Sequence, residues 1–480
     1  MREGKPIRYG ADAVKSIQAA AGSQTGVSLV SDNLAAFVMR VLSARAATRT
    51  LDLQYYAWEE DVTGRLLARE VLCAADRGVQ VRLLLDDLYV RARERELATL
   101  SAHPFIDVRL FNPFQLRSWG LLGSIAEFLF AGYRVNHRMH NKAWIVDGAL
   151  VIGGGRNIGD AYFGASSQFN FRDMDLAVTG AAAAQAVVLF DRYWTNRRVR
   201  RIEQVAVSRL RPSGLDELRQ MLEDAAASAS ARDYLKRLPT YPGLAELLEE
   251  RRILLPADKV HMIADLPGKR LGRRRAPGVL GAVRQVVGNA QRRVLLISPY
   301  FVPGRRGTKL LRGLLRRGVK VSVLTNSLAA TDVLAVHGGY ARYRRRLLQA
   351  GIELHELKRG GQEGHSLFGS GGASLHTKAL AVDGETAFVG SFNLDPRSAN
   401  LNTEMGTFVQ DAGLAGQLHE EYARLTDPAR SWAVGLEGER LAWHGQVGDR
   451  MEVLYGEPGA PLGRRILARV LGWLPIEPQL

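Results

Sequence analysis

Short apolar runs alternate along this chain with stretches whose apolar residues fall at helical spacing, and the alternation occurs twice in the same order. Residues 49–56 (Arg-Thr-Leu-Asp-Leu-Gln-Tyr-Tyr) predict a buried strand ending in a Tyr pair. Residues 66–75 follow with helical spacing, and 77–85 (Arg-Gly-Val-Gln-Val-Arg-Leu-Leu-Leu) read as a turn and a second strand. The second half repeats this with a strand at 293–300, a helix over 310–315, and a turn and strand at 317–324. Strand–helix–strand units with short turns predict parallel sheets covered by helices.

The repeat carries polar residues at fixed places. His140, Lys142 and Asp147 form an H-x-K-x4-D run, and His376, Lys378 and Asp383 form it again. Gly154 and Asn157 follow the first run at the same offsets as Gly390 and Asn393 follow the second. Apolar residues surround each triad, which places it on a strand. Residues i and i+2 of a strand share a face, so each His and Lys project together. Asp147-Gly148 and Asp383-Gly384 are hairpin signals after the triads.

These boundaries divide the chain into a first half over 1–200, a helical and basic connecting segment over 201–288, a second half over 289–430 and a tail over 431–480. In the connecting segment, 215–227 and 244–254 read as helices and 269–275 as a basic loop. Residues 119–133 carry one charge, Glu127, with Leu121, Leu122, Ile125, Phe128 and Leu129 on one helical face. This is either a core helix or a membrane- or acyl-contacting helix at the site entrance. Residues 464–474 interleave Arg464, Arg465 and Arg469 with Ile466, Leu467, Val470, Leu471, Trp473 and Leu474. That pattern suits a peripheral membrane helix or a docked terminal helix.

Composition narrows the chemistry. The net charge is +16, and 55 of the 65 basic residues are Arg, so a polyanion or an anionic membrane face is attracted. The two motif lysines stand out because the chain otherwise avoids Lys. The single cysteine, Cys73, excludes an intramolecular disulfide and a cysteine zinc site. His137, near His140, resembles half a metal site, but no carboxylate or Cys cluster completes one, so no metal is expected. Residues 1–20 lack the apolar core of a signal peptide, and no apolar run is long enough to span a bilayer.

Phosphodiester transfer without a metal needs cations for the non-bridging oxygens, a nucleophile and a general acid. Lys142 and Lys378 supply the first, and two imidazoles supply the others. One triad provides half of this set and two provide all of it. Asn157 and Asn393 can donate amide hydrogen bonds to the same oxygens, and Gly154 and Gly390 let backbone approach closely. Ser391 lies beside them in the second copy, where the first has Gly155. Each imidazole needs a carboxylate to set its tautomer. Glu404 is the candidate after Asn393, and Asp175 after Asn157, with Asp173 competing.

These motifs resemble the phospholipase D superfamily over nearly the whole chain. The strings Arg138-Met139-His140-Asn141-Lys142, Gly154-Gly155-Arg156-Asn157-Ile158-Gly159-Asp160 and Asn393-Leu394-Asp395-Pro396-Arg397-Ser398 look most like bacterial cardiolipin synthases of the C type. The resemblance implies an α/β pseudo-twofold duplication of two mixed or parallel sheets flanked by helices, with the active site at their interface. It implies a phosphohistidine intermediate and no cofactor, with His140 as nucleophile and His376 as general acid and base, in an order that could be reversed. Asp147 and Asp383 would mainly hold strands and turns. The reaction implied moves a phosphatidyl group between phospholipids, commonly phosphatidylglycerol. The partners implied are phospholipids and an anionic membrane, on the cytoplasmic face of the bacterial inner membrane. Hydrolysis shares the same intermediate. A nuclease fits less well, because the aromatic-basic interleaving of a strand-tracking groove is not evident.

Overall fold

Each repeat folds as a mixed sheet in a computed structural model that describes residues 24–480 apart from 91–92, 116–131, 133, 206–213, 242, 250–251, 270–277, 361–371, 475–476 and 480. The first half contains β1 (Gln24–Val30), β2 (Thr50–Tyr55), β3 (Gln80–Asp86), β4 (Ile106–Phe111), β5 (Ala143–Val146), β6 (Leu150–Gly154), β7 (Asn170–Arg172), β8 (Asp175–Gly180), β9 (Val199–Arg201) and β10 (Ile253–Pro256). The second contains β11 (Val260–Ala264), β12 (Arg293–Ile297), β13 (Lys320–Asn326), β14 (Glu353–Leu357), β15 (Ala373–Leu375), β16 (Ala379–Val382), β17 (Thr386–Gly390), β18 (Met405–Gln410), β19 (Ser431–Glu437), β20 (Arg440–Val447) and β21 (Arg450–Leu454).

The first sheet runs β10-β1-β8-β6-β5-β2-β3-β4-β9, and the second runs β11-β18-β17-β16-β12-β13-β14-β19-β20-β21. The shared order β8-β6-β5-β2-β3-β4 and β18-β17-β16-β12-β13-β14 is the duplication made visible. In both, three strands are parallel and the hairpin that follows the triad is antiparallel. β2 is buried on both faces, as a central strand must be. Its Asp52 is accommodated by a bidentate pair with Arg82.

Helices Asn33–Ala46 and Val62–Asp76 cover the outer face of the first sheet. Asp32 and Asp61 start them, each accepting an amide of the first turn. Helices Val279–Gly288, Gly304–Arg316 and Leu334–Gln349 cover the second sheet. The inner faces share one core. Ile145, Val151 and Leu176 join Leu295, Ala381 and Val389 in it, with helices Ala183–Trp194 and Ala412–Leu425 packed in.

The connecting segment does not stand apart. Helices Gly214–Ala226, Ala229–Leu235 and Leu244–Glu249 bury Leu218, Leu222, Tyr234 and Leu248 in the first half's core. The predicted helix over 244–254 stops early, and Ile253–Pro256 pairs with β1 as an edge strand. Residues 260–264 and 279–288 belong to the second half. The predicted apolar helix over 119–133 and most of the basic loop lie outside the described residues.

The tail adds β19, β20 and β21 to the second sheet and ends in helix Leu462–Trp473. This helix docks through its small residues. Gly338 of helix Leu334–Gln349 lies so close to Ala468 and Gly472 that a Cβ would overlap their backbone. Docking leaves the large apolar side chains outward, with Leu462 71% and Trp473 78% exposed. No helix among the described residues is long and apolar enough to cross a membrane.

Candidate active site

Both histidines enter the site just ahead of the strand that follows β2 or β12 in its sheet. Lys142 and Lys378 precede β5 and β16 directly, and each ammonium donates to the carbonyl of its own His. At the far end of each short strand, Asp147 and Asp383 stand at positive φ with Gly148 and Gly384, the pattern of a type I′ turn. The Asp147 carboxylate accepts the amides of Thr48, Arg49 and Thr50, and that of Asp383 accepts those of Gln291, Arg292 and Arg293. These two members of the triads therefore clamp the entry to β2 and β12 and do not contact the imidazoles.

The halves interlock where the histidines begin. Met139 bridges Thr403, and the amide of His140 donates to the Thr403 carbonyl. In the pseudo-symmetric place β15 pairs with β7, and the amide of His376 donates to the Arg172 carbonyl. The next residue on each borrowed segment is an acid. Glu404 Oε2 lies 2.9 Å from His140 Nδ1, and Asp173 Oδ2 lies 2.5 Å from His376 Nδ1. Each imidazole is thus held by a carboxylate from the opposite half.

Asp175, the acid favoured from sequence, is elsewhere. It is fully buried between Arg40 at 2.9 Å and Arg156 at 3.3 Å. Strand register gives the reason. Gly154 pairs with Asp175 as Gly390 pairs with Gly406, so the counterpart of Glu404 is Asp173. The dipeptides Asp173-Met174 and Glu404-Met405 carried this signal in the sequence.

The remaining predicted residues support the site from behind. A Cβ on Gly154 would overlap the Met174 carbonyl, and one on Gly390 the Met405 carbonyl, so both glycines serve strand approach. Ser391 donates to Glu404 and accepts from the Met405 amide, which ties up its hydroxyl. At the matching place, a side chain on Gly155 would collide with the Asp173 carboxylate. Asn157 donates to Tyr162 Oη and accepts from the Ala57 amide, whereas the buried Oδ1 of Asn393 has no hydrogen-bond partner.

Sequence reading missed Asp86 and Asn326, the last residues of β3 and β13. Asp86 accepts the Met139 amide, and Asn326 accepts the Leu375 amide and donates to the Leu375 carbonyl. Each therefore fixes the residue before a histidine. A polar residue closing an apolar run in both copies was the available signal. Tyr56 also packs edge-on against His140, and Tyr162 against His376, at centroid distances of 5.1 and 5.2 Å.

Burial sets the electrostatics. It lowers His140 to about 4 and His376 well below the usual imidazole range, with the two lysines adding to the effect. Burial also lowers Lys142 to about 7 and Lys378 to about 8. Lysines and histidines of both halves act on one another, as expected of one convergent site. The carboxylates differ. Burial pushes both up, but for Glu404 the neighbouring His140, Lys142 and Ser391 outweigh it and the group lies low, while Asp173 stays raised. No group of three His, Cys, Asp or Glu among the described residues could hold a metal ion, and burial lowers His137 to about 3.

Comparison with known proteins agrees with this geometry. Residues 43–194 and 283–426 match the family model described as "Cardiolipin synthase, PLD-like domain". The chain is 39% identical to cardiolipin synthase C of Escherichia coli over 95% of this chain and 96% of that one. It is 31% identical to an uncharacterized protein of Helicobacter pylori strain J99 over 94% of this chain and 88% of that one. The crystal structure of phosphatidylserine synthase from Haemophilus influenzae superposes with a TM-score of 0.61 at 14% identity, covering 97% of this chain and 100% of that one, which shows a common fold.

Proposed function

The chain belongs to the phospholipase D-like cardiolipin synthase family, and from that premise we propose that it is a phosphatidyltransferase that moves a phosphatidyl group from phosphatidylglycerol to the headgroup hydroxyl of a second phospholipid. The observation that carries this is the crossed pairing of His140 with Glu404 and His376 with Asp173.

Glu404, held in its charged form, accepts Nδ1–H of His140 and leaves a lone pair on Nε2. That nitrogen attacks phosphorus, the P–N bond forms, and the P–O bond to the leaving alcohol breaks. Asp173 is the acid with the raised proton affinity. Its contact of 2.5 Å with Nδ1 of His376 allows one proton to be shared between them, so Nε2–H can be delivered to the leaving oxygen. In the return half, His376 takes the proton of the incoming hydroxyl, whose oxygen attacks phosphorus and releases His140. Lys142 and Lys378 supply charge to the non-bridging oxygens throughout. The free carbonyl of Asn393 is suited to accept from a substrate hydroxyl.

The membrane-facing surface in this reading is the C-terminal helix. Its outward Leu462, Ile466, Val470 and Trp473 suit an interface, and the net charge of +16 suits the anionic cytoplasmic leaflet.

The test uses purified protein with phosphatidylglycerol vesicles, alone and with phosphatidylethanolamine, and mass spectrometry of the products. Cardiolipin with free glycerol is expected from the wild type and not from His140→Ala. Label from a headgroup-proximal phosphate should be trapped on His140 after rapid denaturation. Phosphatidic acid as the sole product would replace transfer with hydrolysis, and an unchanged lipid pool would remove the reading.

A further inference from the structure

The two halves share a fold, but they fill one pseudo-symmetric place differently. In the first half, Phe37 on helix Asn33–Ala46 packs edge-on against Phe163 at 5.6 Å and Tyr234 at 5.2 Å. Tyr234 comes from helix Ala229–Leu235, in the segment that has no copy in the repeat, and its hydroxyl donates to the Phe163 carbonyl. This plugs the space between the two outer helices with three aromatic rings.

Landmarks within the duplication locate the same place in the second half. The amides of Thr50 and Arg293 donate to Asp147 and Asp383, and counting back from them Leu280 stands where Phe37 does. The bridges Trp58–Ile158 and Phe301–Leu394 correspond, and counting on from them Ala399 stands where Phe163 does. No connecting helix among the described residues supplies a Tyr234. The result is a cavity of about 320 Å³ lined by Leu280, Val283, Phe301, Leu310, Phe392 and Ala399. That volume lies in the range of small-molecule sites. Three arginines, Arg284, Arg305 and Arg306, border the apolar interior. All three are exposed and form no ion pair with an acid of the described residues. Phe392, in the cavity wall, directly precedes Asn393 of the active site.

An apolar cavity with a cationic rim is complementary to an alkyl chain that ends in an anion. We propose that this cavity binds one acyl chain of an anionic phospholipid, with Arg284, Arg305 and Arg306 on its phosphate. The inference rests on the lipid-directed reading for its ligand class, yet it requires no turnover. Through Phe392, an occupied cavity stiffens the segment that carries Asn393.

Photolabelling of the full chain tests it, with phosphatidylglycerol bearing a diazirine near the end of one acyl chain, presented in vesicles. Labelled peptides are expected from 279–311 and 392–399, equally in wild type and His140→Ala. The substitutions Leu280→Phe and Ala399→Phe together restore two of the three rings of the first half. They should cut labelling there about tenfold, because room for two or more methylenes is lost, while the melting temperature is kept. Should the pair fail to fold, Ala399→Met alone gives the same reading. Arg284→Gln with Arg305→Gln and Arg306→Gln should abolish the preference for phosphatidylglycerol over a phosphatidylcholine probe. Undiminished labelling in the folded ring-restoring variant, or label confined to other peptides, overturns the proposal. Lipid turnover measured alongside separates the two ideas: turnover without label in these peptides defeats the cavity alone, and label without turnover defeats the transferase alone.

Discussion

At the scale of single residues, two acids two positions apart have opposite tasks. Asp173 touches an imidazole, whereas Asp175 is enclosed by Arg40 and Arg156. Asp173→Asn and Glu404→Gln should therefore fold normally and lose about 10²–10⁴ in kcat, because the imidazole tautomer is no longer set. Asp175→Asn should instead lose about 3–5 kcal/mol of stability by leaving two buried guanidiniums without their carboxylate. Thermal unfolding and initial rates on the same preparations separate the outcomes. The pH profile follows from the same burial. Catalysis needs His140 neutral and the lysines charged. Thus kcat/KM should rise as pH increases through about 4, where His140 loses its proton, and fall through about 7 to 8 as Lys142 and Lys378 lose theirs. Bound phosphodiester holds protons on the lysines, so the alkaline limb in kcat should lie at higher pH. A rate that climbs steadily to pH 9 in kcat/KM would contradict this.

At the scale of elements, the triad strands are short and held at both ends. The His end hangs on a segment of the other half, and the Asp end on the amides entering β2 or β12. Gly154 and Gly390 belong to this construction, since each permits one strand to lie against its neighbour's carbonyl. Gly154→Ala and Gly390→Ala should each cost about 1–3 kcal/mol through forced backbone shifts, read as a lower melting temperature. Activity should fall in proportion to the displacement of Asp173 or Glu404. The hairpins and the strand–helix–strand units were legible in the sequence because local periodicity and Asp-Gly turns are local properties. The strand Ile253–Pro256 was not, because only pairing with β1 makes it a strand.

At the scale of the whole molecule, the site exists only between halves. Neither half contains an imidazole together with its own carboxylate, so duplication here is a requirement and not a redundancy. The surface is organised on the same scale. The C-terminal helix is fastened by Ala468 and Gly472 and turns its large apolar side chains outward. Ile466→Ser with Trp473→Ser should weaken binding to anionic vesicles in a sedimentation assay, most clearly at high salt, where the electrostatic share is screened. Turnover of a short-chain, water-soluble phosphodiester should be unaffected. Equal loss on both substrates would mean that the helix supports the fold and not the interface.

By itself the sequence determined the duplicated architecture, the two His–Lys pairs and Glu404, because strand periodicity and matched offsets are written along the chain. Its Asp-Gly pairs also announced the two hairpins, whereas the clamp that Asp147 and Asp383 place on the amides entering β2 and β12 came from the fold. Tertiary structure alone decided which carboxylate meets which imidazole, since that depends on the strand register on either side of a loop of unequal length. It decided too that Ser391 serves Glu404, that Asn157 is tied to Tyr162, and that one half is plugged with aromatic rings while the other keeps a cavity. These facts come from contacts between residues distant in sequence; the matched dipeptides Asp173-Met174 and Glu404-Met405 mark the two acids as counterparts but not the imidazoles they meet.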